Sequence, residues 1–93
     1  MSLIFDWDSD KNLSNISKHS IDFNDIPKVF ENEMLIKKDL RQDYGEDRLI
    51  GLGILLDLVI VVVWTLRNNK IRIISARQAN KNEREIYYDK IKN

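Results

Sequence analysis

"LIGLGILLDLVIVVVWTL", Leu49 to Leu66, is apolar at every position except Asp57 and Thr65. Its length is about that of a membrane-crossing helix, for which roughly 20 apolar residues suffice. Three features argue against a helix. Gly51 and Gly53 interrupt the first half, Asp57 sits at the middle, and Val59 to Val63 are β-branched without a break. β-Branched residues favour a pleated surface. The stretch therefore reads as two strands, "RLIGLGIL" and "LVIVVVWTL", joined by a turn near Asp57. The run Val59–Trp64 is apolar at even and odd positions alike, so it reads as a central strand buried on both faces.

Strand signals continue on either side. Asn68-Asn69 forms a two-residue hairpin turn, since Asn tolerates positive φ. "KIRIISA" is the last strand, and Asn80 opens a C-terminal helix to about Ile91. Upstream, "MLIKKD" reads as a strand and "LRQDYGED" as a polar loop. "LIFDWD" begins the chain as a short strand. Asp8 then caps a helix over residues 9–18, with Leu13 and Ile16 as its inner face. Asp22 caps a second helix ending near Glu31, with an Ile21–Ile26 staple and Val29 and Phe30 inward. Pro27 falls in its first turn, where a missing N–H costs little. The order is α+β: a small antiparallel sheet, because the connections between successive strands are too short for crossovers, packed with two N-terminal helices and a C-terminal helix. Gly51-x-Gly53 lacks a third glycine and lies inside a strand, so it marks a bulge or a close backbone approach rather than a phosphate loop.

The 93 residues make one domain, residues 1–93, with a limited core. Without cysteine there is neither a disulfide nor a thiolate metal site, and the single histidine cannot build a His cluster. No metal and no cofactor is expected. The first residues lack a signal-peptide pattern and turn acidic within six positions, which points to the cytoplasm and away from a membrane. Net charge is zero but unevenly placed. Residues 1–66 carry 7 basic and 12 acidic side chains, residues 67–93 carry 8 and 3. A basic C-terminal third suits an anionic partner, nucleic acid or an acidic protein. It also suits an ordinary solvated helix.

Several side chains are candidates for chemistry. His19, after Lys18 at the end of the first helix, has an acid–base range near neutral pH; two cations there also simply stabilise a helix C-terminus. Arg67, Arg72 and Arg77 lie at or near the ends of the last two strands. Arg67 and Arg72 fall at one end and Arg77 at the other, so one phosphate would meet one or two of them. Asn80-x-x-Glu83 is a capping box, sufficient by itself to explain Glu83. Glu83 and Tyr87 are four apart and share a helix face. A carboxylate, a phenol and a guanidinium together suit RNA cleavage without metal: Glu83 or His19 takes the 2′-OH proton and arginine stabilises the phosphorane.

Five stretches in order resemble the BrnT-type toxins of BrnT/BrnA toxin–antitoxin modules: "FDWD" with Lys11, "NISKHSIDF", "RLIGLG", "VVVWTLR" and "IRIISARQANKNEREIY". The last is the most specific. The resemblance implies a RelE-like fold and a ribonuclease toxin that inhibits translation. It implies a BrnA-type antitoxin as partner, with operator DNA bound only through that antitoxin. The catalytic candidates are then His19, Arg77 and Glu83, and the RNA-phosphate candidates Lys18, Arg67, Arg72 and Tyr87. Departures are Ser20 in place of the usual glycine, Trp64 in place of tyrosine, and an isoelectric point near 6.6, low for an RNA binder. The alternative is a non-catalytic module whose basic third docks an acidic partner.

Overall fold

The computed structural model describes residues 3–92, arranged as a five-stranded mixed sheet with three helices. The elements are β1 Phe5–Trp7, α1 Ser9–His19, a 3₁₀ turn Phe23–Asp25 running into α2 Ile26–Val29, β2 Leu35–Lys38, β3 Arg48–Leu55, β4 Leu58–Arg67, β5 Lys70–Gln78 and α3 Lys81–Tyr87, which ends in a π turn, Tyr88–Lys92. The strand order is β1-β5-β4-β3-β2.

The Leu49–Leu66 stretch is the β3–β4 hairpin, with Ile54 opposite Val59 and Leu49 opposite Trp64. Its turn residues Leu56 and Asp57 both take positive φ, 49° and 67°. Asn68 and Asn69 do the same at the β4–β5 turn. Such turns match the right-handed twist of the flanking strands. β4 lies mid-sheet and is buried continuously from Val59 to Thr65.

Two expectations are corrected. The sheet is not wholly antiparallel: β1 runs parallel to β5, with Phe5 opposite Ile71 and Trp7 opposite Ile73. The short-connection argument holds for strands adjacent in sequence, and here the crossover is the whole intervening chain. Nor do Leu13 and Ile16 form the inner face of α1; they are 65% and 37% exposed, while Asn12 and Asn15 are buried. Asn15 Nδ2 donates to the Ala76 and Ile21 carbonyls, and its Oδ1 accepts from Ala76 N–H. An amide side chain thus pairs with β5 where β1 has already ended. Asn12 Oδ1 accepts from Phe23 N–H and its Nδ2 donates to Asp22, fastening α1 to the next turn.

The sheet has two unequal faces. On the first, Ile60, Val62, Trp64, Ile71, Ile73 and Ala76 pack against Ile21, Phe23, Ile26 and Val29. Phe30 meets Trp64 edge-to-face at 4.9 Å. Gly51 makes room for that indole, since a Cβ there would lie 2.8 Å from it; the glycine marks a close approach. On the second face, α3 covers only one end, where Val59, Val61, Ala79 and Tyr87 pack with Leu52 and Ile54. The other end of this face is left to long polar side chains.

Candidate active site

A bulge in β5 decides which side chains reach the second face. Trp64 pairs with Ile73, but Val63 pairs with Ser75, so Ile74 is an extra residue. One extra residue exchanges the two faces of everything beyond it. Ile71 and Ile73 point to the first face, yet Ser75 and Arg77 point to the second. The adjacent isoleucines Ile73-Ile74, which break the alternation, are the sequence trace of this bulge.

Arg77 then meets Glu83 at the start of α3. Its Nη1 and Nη2 donate to Oε1 and Oε2, each at 2.8 Å. Glu83 also closes the capping box: Oε1 accepts from Asn80 N–H at 2.9 Å, and Asn80 Oδ1 accepts from Glu83 N–H at 2.8 Å. Helix capping and pairing with Arg77 therefore meet in one carboxylate. Arg77 holds Glu83 ionised below its ordinary carboxylate range, against the opposing effect of burial. The same bond raises Arg77. A planar fork facing a carboxylate through two bonds is fixed in direction as well as charge.

Around this pair lies a cleft of about 220 Å³ lined by Lys37, Arg41, Ile50, Val61, Val63, Ser75, Arg77 and Glu83. Ligand pockets for drug-sized molecules are usually roughly 300–1,000 Å³. The cleft suits a small anion or one group of a larger chain. Its floor is apolar, its walls are three cations and a hydroxyl, and Glu83 is the one acid in its lining.

Arg41 is held as Arg77 is. Asp39 Oδ1 accepts from Arg41 Nε at 2.9 Å and Oδ2 from Nη2 at 2.8 Å. The Asp39 side chain is fully buried, while that of Arg41 is 62% exposed. Hydrogen bonds from Arg41 hold Asp39 far below the usual carboxylate range and raise Arg41 in turn. Arg41, Lys37 and Ser75 went unread in the sequence. The available signal was Asp39-x-Arg41 directly after a strand.

The other candidates stand apart. Lys18 and His19 are exposed at the end of α1, and among the described residues no hydrogen bond or ion pair joins them to Arg77 or Glu83. Arg67 reaches Glu46 with N–O distances of 3.2 and 3.1 Å. Arg72 Nη1 lies 3.6 Å from Asp6 across the β1–β5 pair. Tyr87 is 2% exposed, a core residue, and its hydroxyl donates to the Glu33 carbonyl at 3.3 Å. Burial raises its pKa. Of the predicted set, Arg77 and Glu83 are brought together. Among the described residues no group of three His, Cys, Asp or Glu side chains gathers as a metal site. No described helix is long and apolar enough to cross a membrane.

Comparison with known proteins bears on the family of the chain. No curated protein matches the chain. A protein-family model, that of the ribonuclease toxin BrnT of type II toxin–antitoxin systems, matches residues 7–83, from the end of β1 through Arg77 and up to Glu83 itself. The match spans most of the sequence, and the chain belongs to the BrnT family of ribonuclease toxins.

Proposed function

We propose that the protein cleaves RNA in the cleft around Arg77, without a metal ion, and so inhibits translation. The observation that carries this reading is the two-bond Arg77–Glu83 pair inside a three-cation cleft. A phosphodiester enters with its oxygens toward Lys37, Arg41 and Arg77. As the 2′-oxygen attacks, charge builds on the non-bridging oxygens, and guanidinium groups already held in place stabilise it without reorganising. Glu83 orients Arg77 and, being ionised at neutral pH, accepts the 2′-OH proton; the bond from phosphorus to the 5′-oxygen breaks, leaving a 2′,3′-cyclic phosphate, and the departing 5′-oxygen takes its proton from water. Its lowered pKa makes it a weak base, so the arginine supplies the larger share of the rate. Lys18, Arg67 and Arg72 would meet phosphates flanking the cleft. His19, which among the described residues makes no hydrogen bond or ion pair with Arg77 or Glu83, is given no step. A RelE-like fold, neutralisation by a BrnA-type antitoxin that itself binds operator DNA, and a cytoplasmic site of action belong to the same reading; membership of a type II toxin family supports them.

The test is cleavage of end-labelled RNA in chelator, first naked and then on translating ribosomes. Arg77→Ala should lower the rate at least a hundredfold, as loss of one such donor typically does, by roughly 10²–10³. Glu83→Gln keeps the cap, because glutamine serves equally at that position; it should lower the rate by about tenfold or more. Cleavage equal in wild type and Arg77→Ala would overturn the site. Cleavage that needs added magnesium would overturn the metal-free chemistry.

A further inference from the structure

Three sheet edges bear on docking, and two are closed or short. β1 is three residues long, and the edge of β5 beyond it is taken by Asn15. β2 is the other outer strand and, among the described residues, has no partner on its far side. Asp39 N–H donates to the Arg48 carbonyl at 2.8 Å, so residues 39, 37 and 35 turn their backbone groups toward β3. By the alternation of an antiparallel ladder, Ile36 and Lys38 direct theirs outward. An exposed row of this kind is a template for another strand.

The surface beside that edge is apolar and then basic. Ile36 and Ile86 are 53% and 43% exposed. With Leu35 and Leu52 they line a groove of about 180 Å³ against α3. Lys37 and Glu83 border both this groove and the catalytic cleft. Lys38 adds a cation on the edge itself. A chain laid along β2 would therefore find backbone partners, an apolar slot, and at one end of it the cations of the cleft.

Resting on the toxin reading above, we infer that the antitoxin neutralises this protein with an extended acidic segment that adds a sixth strand along β2. On the face shared with the cleft, this segment carries an apolar residue beside Leu35. Two positions away it carries an aspartate or glutamate beside Lys37. That carboxylate meets Lys37 and Arg41 and takes the place an RNA phosphate would need. Main-chain pairing supplies affinity and the alternate side chains supply selectivity.

The test uses the full-length antitoxin co-expressed with this chain, and the free toxin beside the complex. Ile36→Pro removes an outward N–H that β3 does not use, and proline is tolerated on edge strands. The variant should cleave RNA within about twofold of wild type and bind antitoxin at least a hundredfold more weakly. In the wild-type complex the Ile36 and Lys38 amides should exchange with solvent at least tenfold more slowly than in free toxin. That measurement decides the matter if the proline variant does not fold. Unchanged exchange at both amides, or full affinity in Ile36→Pro, would overturn the docking and leave the ribonuclease standing. Slowed exchange with a free toxin that cleaves no RNA would keep the docking and remove the ribonuclease.

Discussion

Ser20 ends α1 with φ 59° and ψ 29°, and its N–H donates to the Ile16 carbonyl at 2.8 Å. A residue with a Cβ is strained there by about 1–2 kcal/mol. Glycine relieves that strain but adds freedom to the unfolded chain worth roughly 0.5–1 kcal/mol. Ser20→Gly should therefore stabilise the protein by about 0.5–1 kcal/mol, a rise of roughly 2–8 °C in the thermal midpoint of a domain this small. A lower midpoint would show that the Ser20 side chain holds a contact worth more than the strain. The departure at Ser20 was visible in the sequence, but its geometric consequence was not. Single side chains were legible where a local rule applies: Asp8 accepts from the N–H groups of Asp10 and Lys11, and Asn80 and Glu83 cap α3. Arg41 was missed because its role depends on Asp39 turning it back, a local bond that no periodicity announces.

At the scale of elements, strands were read better than helices. β3, β4 and β5 carry apolar, β-branched runs bounded by turn residues, a pattern that competes with no helical one. In α1 the apolar pair Leu13 and Ile16 outweighed two asparagines that look like surface residues. The helix sits at the sheet's edge, where the unmet need is for hydrogen bonds to β5 and the following turn, so amides are buried there. Asn15→Ala would strand the Ala76 N–H and C=O and the Ile21 C=O away from water. Each buried unpaired group costs about 1–3 kcal/mol; with some relaxation the loss should be about 3 kcal/mol. Leu13→Ser, on the exposed side, should change stability by less than about 0.5 kcal/mol. Denaturant unfolding of the two variants checks the pair. A larger loss from Leu13→Ser would mean that α1 packs by its apolar face after all. The β5 bulge belongs to this scale as well. Strict alternation would send Arg77 to the first face, and only the adjacent Ile73 and Ile74 signal otherwise.

Across the whole molecule, neutrality conceals an arrangement of opposed charges. Among the described residues four carboxylates lie below their ordinary values: Asp8 through the Lys11 backbone N–H, Asp22 through that of Asn24, Asp39 through Arg41 and Glu83 through Arg77. They fasten α1, the turn into α2, the loop after β2 and the start of α3, so one acid titration acts on both sides of the sheet, and through Asp39 and Glu83 on two parts of the cleft. The unfolded chain takes up these protons near 3.8 for aspartate and 4.5 for glutamate, before the folded chain does. More protons bound when unfolded means stability that rises with pH through this window. The contribution is complete above about pH 5 and fades as pH falls through 4.5 and 3.8 toward the lower folded values. Arg77 and Arg41 are raised above the ordinary arginine value, so their share holds throughout this range and is lost only in strong alkali. The sequence showed the charge asymmetry but not this coupling, because each bond joins residues whose pairing depends on the fold or on a cap. Thermal midpoints should stay nearly level from pH 7 to 5 and then fall steeply. Glu83→Gln, which keeps the cap without a titrating group, should start from a slightly lower midpoint and fall less between pH 5 and 3. Parallel curves for wild type and variant would place the acid sensitivity with the three aspartates and remove Glu83 from it.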